Sequence, residues 1–233
     1  MLRAMDIAKM IDHSLLKPEL TTFQVLEGCK IARDYEVASV CVKPCDVALA
    51  KRELAGTDVL VTTVIGFPHG AHKTETKVFE ALEAIKDGAV ELDMVINIGR
   101  LLSGDYQYVE EDIKAVVDAA HAKKVTVKVI LENCYLTDEL KEKACRICEK
   151  AGADFVKTST GFGPSGATID DLKLMRKTCG PKVRIKAAGG VRTLESALAV
   201  RKAGAVRFGA TATKVIMEEA LKLEQEGKLQ EVD

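Results

Sequence analysis

Eight short runs of β-branched and apolar residues, each followed by a stretch with helical spacing, constrain this chain more than any other feature. The runs cover 11–16, 38–42, 59–65, 89–96, 125–131, 155–157, 183–186 and 206–208. Helices are expected over 21–35, 46–54, 73–87, 106–123, 138–150, 169–178, 194–203 and 214–225, with a further short helix over 2–10. Strict strand–helix alternation calls for parallel strands, because a parallel pair needs a long crossover and a helix is its usual form. Eight such units in 233 residues predict a closed (β/α)₈ barrel, an α/β fold of the TIM-barrel class, occupying 1–233 as a single domain. The competing open, doubly wound sheet lacks support. No Gly-x-Gly-x-x-Gly follows an early strand, and no linker or low-complexity break divides the chain. Gly88-Ala89, Gly152-Ala153 and Gly204-Ala205 each sit between a helix and the next strand, a half-hidden repeat that suits similar units arranged around a ring.

Charge excludes two classes of partner. Thirty-four basic against 35 acidic residues give a formal net charge of −1, so neither a nucleic acid nor a membrane surface is expected as a partner. No apolar run approaches the ~18 residues of a membrane span, and 1–11 carries Arg3, Asp6 and Lys9, unlike a signal peptide. Seven scattered cysteines, with Cys145 and Cys148 the one close pair, lack the spacing of a metal or redox site. They read as free thiols, and a reducing cytoplasm is the expected location.

In a barrel of this class the strand ends on the C-terminal face hold the chemistry. Reading off those ends collects Asp12, Ser14, Cys41, Asp93, Asn97, Glu132, Lys157 to Thr160, Lys186 and Arg207, while the opposite ends are mostly small and apolar. Lysine is costly to bury as a cation, so Lys157 in the apolar run Phe155-Val156-Lys157 is unusual. Lys186 falls on the next strand, about 4.8 Å away. Two inward ammonium groups about 5 Å apart, at an effective dielectric of roughly 20, would repel by about 3 kcal/mol, or about two pKa units. Desolvation acts in the same direction, and a neutral amine attacks aldehydes where an ammonium cannot. On spacing alone the other reading also stands: one or both lysines pair with Asp93 or Asp12 and remain charged. The two agree if the acids hold Lys186 as the cation beside a neutral Lys157. Asp93 lies one strand removed from Lys157, in the same layer, where a carboxylate can relay protons.

Two glycine features close the ring of loops. Gly189-Gly190 follows the seventh strand, and Gly209-Ala210-Thr211 follows the eighth and leads into a helix. Loops after these two strands, beside a helix N-terminus, form a common phosphate site in the fold. Singly, each glycine pair reads as a turn.

These residues together resemble the deoxyribose-phosphate aldolase family of class I aldolases. The matching segments are 11–16 (IDHSLL), 64–68 (VIGFP), 91–97 (ELDMVIN), 155–162 (FVKTSTGF), 186–192 (KAAGGVR) and 207–209 (RFG), in order across nearly the whole chain. The two lysine segments are the specific ones. The resemblance implies a (β/α)₈ barrel with no metal or cofactor. It also implies reversible cleavage of 2-deoxy-D-ribose 5-phosphate to acetaldehyde and D-glyceraldehyde 3-phosphate. Carried over by motif, Lys157 forms the Schiff base, Lys186 keeps its pKa low, and Asp93 donates and accepts protons. Asp12 orients Lys186 and Cys41 lines the acetaldehyde side. The remaining residues expected to bind substrate are Ser14, Thr160, Gly189, Gly190, Gly209 and Thr211. The partner is a small phosphorylated sugar, and the family's habit predicts a homo-oligomer, dimer or tetramer. Three departures stand out: Ser14 where threonine is usual, Thr211-Ala212 where a serine pair is common, and an end at 229–233 without the tyrosine found in some members. Two rivals remain open, a lysine-dependent barrel aldolase for another donor and a phosphate-binding barrel without catalysis.

Overall fold

A computed structural model describes residues 2–231 of the chain; Met1 at the start of the expected domain, and Val232 and Asp233 of the tail, lie outside the described residues. Eight parallel strands close on themselves in sequence order. They are β1 (Ile11–Leu15), β2 (Ser39–Val42), β3 (Leu60–Ile65), β4 (Glu91–Val95), β5 (Thr126–Ile130), β6 (Phe155–Lys157), β7 (Arg184–Ala187) and β8 (Arg207–Ala210). The outer ring comprises α1 (Ala4–Ala8), α2 (Thr22–Asp34), α3 (Val47–Glu53), α4 (Thr74–Lys86), α5 (Ile98–Leu102), α6 (Tyr106–His121), α7 (Asp138–Lys150), α8 (Ile169–Thr178), α9 (Leu194–Lys202) and α10 (Thr213–Gln225). One difference from the alternation read in sequence is α5, an extra turn and a half after β4 whose first turn is capped by the Asn97 side chain. The run 97–102 carries Ile98, Leu101 and Leu102 at helical spacing but is too short for that spacing to mark a helix, and a side-chain cap decides it locally.

The apolar core lies between the strands' outward faces and the helices, and it includes Val40, Val127, Val129 and Val156 from the strands and Val116, Val117 and Ile147 from the helices. The helix-to-strand corners repeat one hydrogen-bond pattern. Ala89, Ala153 and Ala205 each donate a backbone N–H to the carbonyl five residues back, at 3.0 Å, and the glycine before each has positive φ. This is the Schellman stop, and it extends beyond the Gly-Ala repeat. Glu36-Val37 and Lys124-Val125 make the same bonds with a non-glycine residue at φ 50° and 61°.

One buried ion pair joins helices outside the barrel. Lys77 on α4 donates to Asp112 of α6 at 2.5 Å and to the Val95 carbonyl at the end of β4 at 3.0 Å. Glu80 of α4 accepts the Gly66 N–H. Together these pin the loop after β3 over the strand ends. On the outward side of β1, His13 shares a 2.8 Å hydrogen bond with Thr213, fixing the start of α10. Burial pushes that imidazole down to about 4, so it is neutral.

Candidate active site

Strand register builds the site. Lys157 stands directly beside Lys186, Asp93 beside Lys128, and Lys186 beside Arg207. Side chains from alternate strands share a layer inside a barrel, and the interior between the strands is charged rather than apolar. Asp93, in the middle of β4, accepts from Lys157 and Lys186 through Oδ2, both at 2.7 Å, and from Lys128 through Oδ1 at 3.0 Å. Asp12 forms an ion pair with Lys186 and accepts from Arg207 and the Ser39 hydroxyl. Glu91 accepts from Lys128 at 2.6 Å, Arg207 at 2.7 Å and Thr62 at 3.0 Å. The Phe155 ring lies by the cluster, 5.9 Å from the Lys128 ammonium and 4.0 Å from the Arg184 guanidinium carbon.

Four basic side chains therefore meet three carboxylates in a largely buried space. Lys128 and Arg207 each touch two carboxylates or more, and Lys186 two; Lys157 touches one, through an oxygen it shares with Lys186. If all seven ionised, one buried positive charge would go uncompensated, and that is costly. Lys157 is the member least compensated. Burial and the neighbouring Lys186 hold its amine below the usual lysine range, against the pull of Asp93. Burial would lower Lys186 as well, but Asp12 and Asp93 outweigh it and hold it above that range. Burial would raise Asp93, yet Lys128, Lys157 and Lys186 keep it well below the carboxylate range. Lysine–lysine repulsion thus contributes less than the sequence spacing implied. The charge count of the cluster is what singles out Lys157.

The cluster opens into one cavity of about 300 Å³ at the C-terminal strand ends. Lys157, Lys186, Asp12, Ser14, Cys41, Thr160, Gly189, Gly190, Gly209 and Thr211 all line it; Asp93 lies beneath, fully buried. Burial and Asp93 push the Cys41 thiol up to about 11, so it is a neutral, weakly polar wall. Gly189 has a positive φ of 82°, and a Cβ there would lie 2.8 Å from Gly166 Cα. At the other end, Thr158 ties the loops after β6 and β7, donating to the Ala188 carbonyl and accepting its N–H.

The structure corrects part of the polar set read from the strand ends. Arg207 is the first residue of β8, not its last, and reaches Asp12 and Glu91 within the barrel. Asp12 is likewise mid-strand. Asn97 caps α5, and Glu132 holds the Thr160 amide and hydroxyl, so neither lines the cavity. Lys128 and Glu91 were missed. The signal was available: Val127-Lys128-Val129 sets a lysine inside an apolar strand as plainly as Val156-Lys157 does. The cavity also takes in Lys17, Phe162 and Arg192 from the loops.

A closed barrel that buries an under-compensated lysine beneath a cavity at its C-terminal strand ends has the layout of a barrel enzyme, and the match to a known family places it in the aldolase class. The sequence profile of the family described as DeoC/LacD family aldolase matches residues 6–216. The chain is 58% identical to a deoxyribose-phosphate aldolase from Thermoanaerobacter sp. (strain X514) over 94% of this chain and 99% of that one. It is 56% identical to the one from Thermococcus gammatolerans, over 93% and 97%. Among solved structures, the tetrameric deoxyribose phosphate aldolase from Aeropyrum pernix superposes with a TM-score of 0.87 at 30% identity, over 93% of this chain and 91% of that one. The chain belongs to the DeoC/LacD aldolase family.

Proposed function

We propose that this protein cleaves 2-deoxy-D-ribose 5-phosphate reversibly to acetaldehyde and D-glyceraldehyde 3-phosphate, with Lys157 as the Schiff-base lysine. The observation that carries the reading is the buried charge count, which leaves Lys157 as the amine that gives up its proton while facing the cavity. Neutral Lys157 attacks C1 of the open-chain sugar, and the adduct loses water to give an iminium. The iminium withdraws electrons, so the C2–C3 bond breaks as the C3 hydroxyl releases its proton toward Asp93 through water. Glyceraldehyde 3-phosphate departs, the remaining enamine is protonated at carbon, and hydrolysis frees acetaldehyde and the lysine. One hard step becomes several easier ones.

Lys186 stays protonated between Asp12 and Asp93 and sustains the field that keeps Lys157 neutral. The backbone at Gly189, Gly190, Gly209 and Thr211 supports a phosphate seat on the β7–β8 side. Ser14 and Thr160 offer hydroxyls along the sugar. The chemistry calls for no metal or cofactor. A single domain spanning the chain, a cytoplasmic setting, a role in breaking down deoxyribose phosphate and assembly into a homo-oligomer complete the reading. The last rests on the tetrameric relative.

Borohydride reduction in the presence of acetaldehyde is the test. A reduced two-carbon unit should appear on the peptide containing Lys157. A label on another residue, or none, overturns the assignment. Acetaldehyde, pyruvate and dihydroxyacetone phosphate compared as donors separate this reading from an aldolase of different donor choice.

A further inference from the structure

His13 and Thr213 form a buried polar pair that the mechanism leaves unused. The imidazole Nδ1 lies 2.8 Å from the Thr213 hydroxyl. Strand alternation places the ring. Asp12 and Ser14 face the cavity, so His13 between them points outward, toward the helices. In the pairing of β1 with β8, Asp12 stands opposite Gly209 and His13 opposite Ala210. The chain leaving β8 therefore runs past the imidazole on its way into α10, whose first residue is Thr213.

That first turn adjoins the phosphate seat. Gly209, Ala210 and Thr211 line the cavity, and α10 begins just beyond them. A helix N-terminus leaves its first N–H groups without helical acceptors, and the aligned peptide dipoles favour an anion there. Ala212, at the N-cap, has no side-chain oxygen, so no side chain caps the turn. A side-chain hydroxyl can rotate toward an anion, but a backbone N–H points only where its turn is held. The side-chain bond that holds this turn is the one between Thr213 and His13. β1 thus carries both Asp12, which pairs with Lys186, and the brace behind the β8 loop.

We propose that His13 is a positioning residue for phosphate recognition: through Thr213 it fixes the first turn of α10 so that the backbone there meets the phosphate of the substrate. This deepens the reading of the β7–β8 loops as a phosphate seat and rests on it. Breaking the tie frees the turn, and the cost falls on the phosphate rather than on the chemistry at Lys157. A pair that served only to hold the core together would affect every substrate alike.

The experiment compares cleavage of 2-deoxy-D-ribose 5-phosphate with cleavage of 2-deoxy-D-ribose, which lacks the phosphate. Thr213→Val keeps the side-chain shape and removes the hydroxyl. It should lower kcat/KM for the phosphorylated sugar about tenfold, mostly through KM, and leave that for 2-deoxy-D-ribose unchanged. His13→Leu should do the same. The double variant should lose about as much as either single one, because both changes break one tie. Thr213→Ser retains the hydroxyl and should keep the wild-type preference for the phosphorylated sugar. Inorganic phosphate as a competitive inhibitor reads the seat directly, and its inhibition constant should rise about tenfold in Thr213→Val. Equal losses on both sugars, no loss on either, additive losses in the double variant, or an unchanged phosphate inhibition constant would overturn the proposal. So would a Thr213→Ser variant that behaves as Thr213→Val. Wild type that fails to cleave the phosphorylated sugar, or prefers it no more than 2-deoxy-D-ribose, sinks the parent reading, and it does so before any variant is compared.

Discussion

At the scale of single residues, three lysines on adjoining strands differ because of the carboxylates each one touches. Lys128 and Lys186 are held as cations, and Lys157 has only part of Asp93. Replacing Lys186 by methionine removes one cation from the cluster and gives Asp93 Oδ2 to Lys157 alone. Lys157 should then hold its proton more tightly. The fraction of neutral amine rises with pH through its pKa, so the inflection of acetaldehyde trapping should move to higher pH. An upward shift of about two units would cut trapping near pH 7 by about 100-fold. A pH profile of borohydride trapping in wild type and Lys186→Met measures this, and an unmoved inflection would refute it. The basis for the expected low pKa was partly legible in sequence, because Lys157 and Lys186 sit in apolar runs on consecutive strands. Its main cause was not. That cause is a balance among seven charges drawn from six strands, and Arg207 and Glu91 enter it from the far end of the barrel.

Among elements, α4 matters out of proportion to its place in the outer ring. Lys77 and Asp112 are both fully buried, and Lys77 also reaches the carbonyl of Val95. Lys77→Met leaves Asp112 buried with only the Thr74 hydroxyl, and breaking such a pair costs about 3–5 kcal/mol. Urea unfolding should show a loss of that order, and the double change Lys77→Met with Asp112→Leu should recover most of it. Equal stability for the single and double variants would contradict this. Helices and strands themselves were legible, since periodicity and the Gly-Ala corners are local signals. The Schellman stops at Glu36 and Lys124 were not, because only the closed backbone bonds force a non-glycine residue into positive φ there. The turn and a half of α5 escaped for a similar reason, since it depends on one asparagine cap.

For the whole molecule, the buried cluster sets how the fold responds to acid. Asp12 and Asp93 are both held far below the usual carboxylate range by Lys186, Lys128 and their neighbours, which outweigh the opposing effect of burial. The unfolded chain therefore takes up protons near pH 4 that the folded chain refuses, and stability falls as pH drops below about 4. His13 adds an earlier step. Burial puts its folded value at about 4 against 6.5 unfolded, so the unfolded state is the more protonated between those limits and stability declines across them. Urea midpoints from pH 7 to 3 should fall in both windows, and His13→Gln should flatten only the upper one. A midpoint that is level from pH 6.5 to 4 in wild type would refute the His13 step. The eight strands and the long helices between them, the barrel and the family were legible in sequence alone, because period, glycine stops and motif order are written along the chain. Which buried lysine is left least compensated was decided only in three dimensions. Ionisation in a closed space depends on every charge within reach, and those charges come from strands that are distant in sequence.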